Sequence, residues 1–358
     1  HWAGWRNDQH GKVDSDDRQV VHGNHERLMR AVVLVGGFGT RLRPLTLSVP
    51  KPMLPVAHVS IIERLIGNLV RGGVNDVTLA LGFKPEPFLA AFPQGTCAGA
   101  RLTYAVEPEP LDTAGAIRFA AEVAGIDSTF VVANGDVLTD LDIGALVAFH
   151  TAHGAEATLH LTPVDDPSAF GVVDCADDGL VRRFVEKPPP GTSPSNLINA
   201  GTYVFEASFL DRIEAGRKVS LEREIFPLVV SDKGLWAMAT DDYWIDTGVP
   251  ELYLAANIDL IAGRRAADND AVAIAEGATI GVDVALHDVV VAAGATIGDG
   301  ASVTASVILD GARIGTGATV SHSVVMGSIG AGALVANCVL GADAVVADGE
   351  SRSDERIG

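Results

Sequence analysis

The chain has 358 residues, a formal net charge of -20 from 26 basic and 46 acidic side chains, 47% apolar residues and three cysteines. The apolar fraction supplies a core without disulfides and excludes a disordered or collagen-like chain. The acidic balance excludes a surface for nucleic acid or anionic membrane, because such polyanions are met by clustered Lys and Arg, so any phosphate-bearing ligand must be held locally. Cys97, Cys175 and Cys338 lie far apart with no CxxC pair; they form neither a disulfide framework nor a zinc site, and a reducing cytoplasm suits them. No apolar run reaches the roughly 20 residues that span a bilayer.

In chain order, residues 1–28 mix charge, His, Asn and Gly without an apolar h-region or cleavage site, and are expected to form a disordered leader. The irregular spacing of His1, His10, His22 and His25 argues against a metal site there. From residue 29 the texture changes. AVVLV (31–35) has the β-branched content of a buried parallel strand, followed by a helical pattern at 61–73, a strand at 76–83, a helix at 114–125 and a strand over 128–138. Alternation of this kind predicts βαβ units and an α/β fold with a mixed, mostly parallel sheet. Between 157 and 205 strands and turns dominate, which predicts an antiparallel or mixed extension of the sheet.

A polar linker at 264–272 separates the 29–263 domain from a lysine-free segment rich in Val, Ile, Ala and Gly. There apolar residues recur in steps of six, as in Ile274, Ile280, Leu286 and Val291, Ile297, Val303, with steps of five between, so a unit of 17 residues repeats and shortens near Met326–Ile329. Such self-similarity signals stacked coils. The segment resembles the hexapeptide-repeat, left-handed parallel β-helix over 273–349, leaving 350–358 as a tail.

Several strings carry chemistry. In VLVGGFGTRLRPLTLSVPKPMLPV (33–56) a strand runs into Gly36, Gly37 and Gly39, where the backbone can turn sharply and approach phosphate oxygens. Leu42 replaces the third glycine of a dinucleotide fingerprint, and no Gly-Lys-Ser/Thr follows as in a P-loop. Arg41 and Lys51 add two cations, and Pro50 and Pro52 stiffen the backbone of Lys51. VVANGDV (131–137) places Asp136 at the carboxyl end of a strand, and YWIDTG (243–248) supplies Asp246. Two carboxylates meeting across a triphosphate suit a hard cation such as Mg2+, although either Asp alone also reads as a loop or capping residue. Glu186 and Lys187 pair a sugar-hydroxyl acceptor with a phosphate-binding cation, or form an ordinary strand-end ion pair. EPEPLDTAGAI (107–117) offers a small-residue wall for a flat base.

The string GGFGTRLRPLTLSVPKPMLPV resembles the signature of the sugar-1-phosphate nucleotidyltransferases, most closely mannose-1-phosphate guanylyltransferases, and the likeness extends over roughly 30–350. It implies a Rossmann-like nucleotidyltransferase domain followed by the β-helix. It also implies that Gly36, Gly37, Gly39 and Arg41 cradle the triphosphate, with Leu34 and Thr40 in the same nucleotide-binding string, and that Lys51 neutralises the α-phosphate. By the same resemblance Asp136 and Asp246 hold Mg2+, Thr113, Ala114 and Gly115 face the base, and Gly171, Glu186, Lys187 and Asn199 bind the sugar phosphate. Asp112 stands where guanylyltransferases usually carry Gly; it either accepts from guanine or caps a helix. The expected reaction joins an NTP, GTP first, to a sugar 1-phosphate, mannose first, in a cytoplasmic homo-oligomer associating through the β-helix. Glucose 1-phosphate with dTTP or UTP is the alternative pair. A non-catalytic regulatory paralogue would have lost Arg41, Lys51, Asp136 or Asp246, and an acyltransferase would use His287 or His322.

Overall fold

The computed structural model describes residues 29–37, 39–82, 85–266 and 271–358. The leader expected over 1–28, with its histidines, lies outside the described residues, as does Phe38.

The central strand is Met29–Leu34, in which Ala31, Val32 and Val33 are fully buried. Successive side chains of a strand point to opposite faces. Val32 packs with Ile117 and Ala120 of the helix Asp112–Ala124, while Ala31 and Val33 pack with Ile62, Leu65 and Leu69 of the helix Ile61–Arg71. The unbroken apolar run is therefore what a strand covered by helices on both faces requires. Helix Ile61–Arg71 starts at a capping box: Glu63 N–H donates to Ser60 Oγ (3.3 Å), and Ser60 N–H donates to Glu63 Oε2 (3.2 Å).

Parallel strands Val74–Leu81 and Phe130–Asn134 flank the centre, and Leu34 stands opposite Ala80 on one side and Asn134 on the other. Beyond Val74–Leu81 lies parallel Ala100–Val106; beyond Phe130–Asn134 lies antiparallel Leu197–Phe205. Leu197–Phe205 carries the antiparallel strands Ala157–Pro163 and Gly171–Cys175, the latter in a hairpin with Val181–Glu186. The mixed extension read between 157 and 205 is thus present. The chain leaves Leu34 where connections diverge to either side, the place at which open α/β sheets bind ligands.

One reading is corrected. The run 128–138 forms two strands, Phe130–Asn134 and Val137–Thr139, because the backbone pinches at Gly135, whose N–H donates to Leu34 O (2.8 Å). A Cβ at Gly135 would stand 2.6 Å from Val35 Cγ1. Val137–Thr139 then leaves the main sheet and pairs with Trp244–Asp246, Asp246 opposite Val137.

After the linker, short parallel strands stack at Thr279–Ile280, Thr296–Ile297, Arg313–Ile314, Ser328–Ile329 and Val345–Val346, so the step is 17 residues throughout except for 15 between Arg313 and Ser328. A second wall stacks Ala285–Val291 on Ser302–Ile308 and the coils that follow. Inside lie Ile297, Val303, Ile314, Val320 and Leu340. Each coil is too thin to bury this edge alone, which is why the repeat is obligatory. Residues 350–358, expected as a tail, instead complete a coil: Ser351–Ser353 pairs with Leu334–Ala336 and Arg356–Ile357 with Val339–Leu340. Their polar composition hid the strand pairing, since Ile357 is the residue that packs against the coil core. The linker is anchored where it starts: Arg265, 1% exposed, donates to Asp140 Oδ1 (2.7 Å) and Thr139 O (2.9 Å).

The two parts share a core. Tyr253, Ala256 and Leu260 of helix Pro250–Ile261 pack with Leu42, Leu45, Leu54 and Val56 on one side and with Val290, Val307, Leu309, Val324 and Val339 of the coils on the other. Among the described residues no helix is long and apolar enough to cross a membrane.

Candidate active site

The Gly-rich turn begins one residue past the central strand. Gly37 has φ 112° and Gly39 φ 55°, both in the left-handed range. Gly39 must also be small: a Cβ there would meet Thr46 Cγ2 at 3.0 Å and Lys51 Cβ at 3.2 Å. Thr46 Oγ1 donates to Gly39 O (2.7 Å), folding the loop back on itself. Thr40–Leu42 makes a single 3-10 turn that leaves the Arg41 side chain 66% exposed.

Lys51 is held differently. Pro50 is extended, and Lys51–Met53 forms another short 3-10 turn closed by Met53 N–H to Pro50 O (2.9 Å) and Leu54 N–H to Lys51 O (3.0 Å). The Lys51 side chain is 7% exposed, and its ammonium donates to Asp136 Oδ2 (2.7 Å) and Asp246 Oδ1 (2.9 Å). Arg41 Nη2 lies 3.9 Å from Asp246 Oδ2. The antiparallel pairing of Val137–Thr139 with Trp244–Asp246 sets the two aspartates side by side. Buried Thr247 fastens them further by donating to Asp136 O (3.0 Å). Gly248 leaves room for the cluster, since a Cβ there would come within 2.7 Å of Arg41 Nη2, 2.9 Å of Asp246 Oδ1 and 3.2 Å of Lys51 Nζ. Sequence reasoning missed Thr247 and Gly248, although both stand in the YWIDTG string that yielded Asp246.

A cleft of about 520 Å³ opens on the other side of the turn, lined by Leu34, Gly36, Gly37, Arg43, Thr46, Pro50, Glu107, Asp112 and Thr113 among others. Lys51 and the two aspartates are not in its wall; Gly36, Gly37 and Pro50 connect it to them. Glu107, also missed, is 9% exposed and accepts Leu111 N–H (2.8 Å). Burial pushes its carboxyl above the usual range, with the Leu111 amide opposing. Asp112 has φ 60°, a backbone that Asp tolerates better than most residues, and its Oδ1 accepts Thr113 N–H (2.9 Å) at the start of the helix. Thr113 Oγ1 bonds Glu222 Oε2 (2.9 Å) and Leu221 N–H (2.8 Å). The amides of Ala114 and Gly115 both donate to Val219 O, and a Cβ at Gly115 would stand 2.7 Å from Arg217 O. Thr113 therefore faces the cleft, whereas Ala114 and Gly115 tie the helix to the 217–221 segment.

On the hairpin, Gly171 pairs with Glu186, and a Cβ at Gly171 would meet Phe184 Cζ at 2.6 Å and Glu186 Oε2 at 3.0 Å. Lys187 Nζ lies 3.4 Å from Glu186 Oε1 with its ammonium largely in solvent, and Lys187 N–H donates to Phe170 O (2.9 Å). Phe170 meets Trp244 edge to face at 5.8 Å, and Trp244 Nε1 donates to Ala200 O (2.9 Å), so hairpin, Asp246 strand and Leu197–Phe205 are joined. The Asn199 amide donates to Tyr203 Oη (2.9 Å) and accepts Gly201 N–H (3.1 Å).

The donor set can be tested against a divalent cation. Asp136 and Asp246 already converge on one cationic centre, the Lys51 ammonium, and offer hard oxygens. Among the described residues no group of three or more His, Cys, Asp or Glu gathers for a metal. Two carboxylates completed by phosphate oxygens and water fit a Mg2+-like ion bound together with a ligand. His287 and His322 are exposed on coil surfaces, His287 beside Asp288 Oδ2 at 3.1 Å, not buried between coils.

Residues 30–263 match the family described as nucleotidyl transferase, and residues 269–353 match the GMPPB C-terminal domain. The mannose-1-phosphate guanylyltransferase of Mycobacterium tuberculosis is 44% identical over 237 residues, 65% of each chain. That of Schizosaccharomyces pombe is 40% identical over 257 residues, 71% of this chain and 70% of its own. The matched segment thus spans a little under two thirds of the Mycobacterium protein. Among solved structures, HddC from Yersinia pseudotuberculosis complexed with GMP-PN superposes with a TM-score of 0.55 at 29% identity, covering 64% of this chain and 98% of that one.

Proposed function

The chain belongs to the nucleotidyl transferase family, and from that membership we propose that it transfers a nucleotidyl group from an NTP to a sugar 1-phosphate, with GTP and mannose 1-phosphate giving GDP-mannose and pyrophosphate. The observation that carries the reading is the Lys51 ammonium held between Asp136 and Asp246 beside the Gly36–Gly39 turn. The choice of guanine rests on the names of the relatives, on the guanine nucleotide in the HddC complex and on Glu107, a buried acceptor in the cleft wall that complements the N1–H and N2–H donors of guanine.

In this reaction an oxygen of the sugar phosphate forms a bond to the α-phosphorus while the bond to the β-phosphate oxygen breaks and pyrophosphate departs with the electron pair. The nucleophile is already ionised, so no general base is needed, and catalysis reduces to positioning and charge neutralisation. In this reading the turn at Gly36, Gly37 and Gly39 lets the triphosphate approach backbone, Arg41 and Lys51 face the phosphates, and Glu186 and Lys187 take the sugar hydroxyls and phosphate, with Gly171 leaving space between them. Lys51, already dehydrated by burial, neutralises charge at the α-phosphate without reorganising. Asp136 and Asp246 would hold Mg2+, which would supply a further positive charge to the phosphates. Three unpaired thiols suit the cytoplasm as the compartment, and a homo-oligomer through the β-helix belongs to the same reading, to be checked by solution mass.

The test is a pyrophosphate-release matrix of GTP, ATP, UTP, CTP and dTTP against the 1-phosphates of mannose, glucose and N-acetylglucosamine. GTP with mannose 1-phosphate should dominate; activity confined to dTTP with glucose 1-phosphate would overturn the specificity.

A further inference from the structure

The turn that carries Arg41 has little structure of its own. Thr40–Leu42 is three residues closed by Leu42 N–H to Gly39 O (3.0 Å) and Arg43 N–H to Thr40 O (3.2 Å), and an isolated turn of this size is marginal. Thr46 braces it from within the same loop, and further support comes from the coils. Arg356 Nη1 donates to the main-chain oxygen of Arg41 at 2.7 Å, across 315 residues of sequence. Gly341, in the same coil region, sits so close to Pro44 that a Cβ would meet Pro44 Cβ at 2.9 Å and Pro44 Cγ at 3.2 Å. Leu42 and Leu45 are fully buried, in a cluster that includes Val307, Leu309, Val324 and Val339 of the coils.

We propose that the β-helix is a working part of the nucleotide site: Arg356 and Gly341 clamp the segment Gly39–Leu45 and thereby set where Arg41 stands. Arg356 touches no reacting atom in this scheme; it is a positioning residue for Arg41. The argument is mechanical. The Arg41 side chain is mostly in solvent and, among the described residues, makes one long ion pair, at 3.9 Å, so its head group is located chiefly by its backbone. That backbone is gripped on its carbonyl by Arg356 and underpinned by leucines that face the coils. A misplacement of about 1 Å at such a group costs on the order of 100-fold in rate. The consequence for turnover rests on the proposed nucleotidyl transfer; the clamp itself does not.

The experiment uses the full chain and reads both. In the absence of substrate, Arg356→Ala should speed hydrogen–deuterium exchange in the peptide covering 39–47 and leave peptides of the central sheet unchanged. In pyrophosphate release it should raise KM for the NTP about tenfold, the scale of one hydrogen bond to a charged group, with KM for the sugar 1-phosphate and the thermal midpoint unmoved. Arg356→Lys, which can still donate to the carbonyl, should recover most of the NTP KM. Arg352→Ala, which removes a neighbouring cation paired, among the described residues, with Glu350 and Glu355, should behave as wild type. Gly341→Val gives a second route, pressing on Pro44 with Arg356 intact, and should reproduce the loop exchange. Unchanged exchange at 39–47 in both Arg356→Ala and Gly341→Val overturns the clamp, as do equal rises in both KM values with a lowered midpoint. A wild-type chain that releases no pyrophosphate with any NTP defeats the functional reading, and the exchange data still decide the clamp.

Discussion

Replacing Lys51 by Met keeps most of the side-chain volume and removes the charge. In the native site the ammonium lies 2.7 Å and 2.9 Å from two carboxylates while itself 7% exposed. Breaking a fully buried pair by deleting one partner costs about 3–5 kcal/mol. Here Asp136 and Asp246 remain 39% and 23% exposed, so water screens the bared charges and the stability loss should fall to about 1–3 kcal/mol. The kinetic loss is of a different size. Removing one preorganised charge partner from a developing anion lowers turnover by roughly 100- to 1000-fold. Thermal melting and steady-state pyrophosphate release separate the two. The double variant Lys51→Met/Asp136→Asn sharpens the test, because relieving one carboxylate should restore part of the lost stability while turnover stays low. Turnover of Lys51→Met within about tenfold of wild type, or recovery of turnover in the double variant, would refute the role assigned to Lys51.

Gly248→Ala would place a methyl 2.7 Å from Arg41 Nη2 and 3.2 Å from Lys51 Nζ, so turnover should fall at least about tenfold with a small change in melting temperature, checked by the same two assays. Glu107→Gln exchanges a charged acceptor for an amide in the cleft wall; kcat/KM for GTP should drop more than that for ITP, which lacks the 2-amino donor, and equal losses would argue against base reading by Glu107. His160 is buried and its pKa is depressed by desolvation to about 4 from 6.5, and that of His150 is lowered by the same cause against an opposing bond to Glu206. The unfolded chain therefore binds more protons as pH falls below 6.5, and stability should decline from there toward pH 4; His160→Leu should flatten that slope in pH-dependent melts. Chelation of divalent ions should abolish pyrophosphate release and leave the melting temperature in place, because Lys51 already bridges the two carboxylates; a large drop in midpoint with EDTA would contradict that bridging.

Much of this arrangement is legible in the sequence because its signals are local. AVVLV is read as a doubly covered strand because its β-branched, consecutive apolar residues suit a strand buried on both faces, and the 17-residue step survives because each coil copies the geometry of the last. Gly36, Gly37, Gly39, Arg41 and Lys51 stand within one loop, so their spacing alone gathers them. Other features depend on approach between distant segments. Gly135 looks like an ordinary residue of a strand until Leu34 and Val35 are seen against it, and only then is the strand known to break and release Asp136 toward Asp246. Gly248 carries no signal of its own beyond adjacency to Asp246, since what requires its smallness is a cluster drawn from residues 41, 51 and 246. Arg356 is the extreme case: a charged residue in a polar stretch, made significant by a carbonyl 315 positions away.

The same long-range closure explains how a chain of net charge -20 can present the site proposed for two phosphorylated substrates. At the centre Arg41 and Lys51 face Asp136 and Asp246, so the cluster is formally neutral before any cation joins it. A neutral cluster does not concentrate anions from afar, and the acidic surface does not steer them in. Attraction must then arise at contact range, from Arg41 and Lys51 within a few ångströms and from a divalent ion arriving with the triphosphate. Interactions of that range are weakly screened by salt compared with long-range steering. Raising ionic strength from 0.05 to 0.3 M should accordingly leave kcat/KM for the NTP within about threefold, the residue of screening at exposed Arg41. A fall of ten times or more, measured at constant free Mg2+, would mean that distant charges guide the substrate and that the local neutrality of the cluster is not what sets binding.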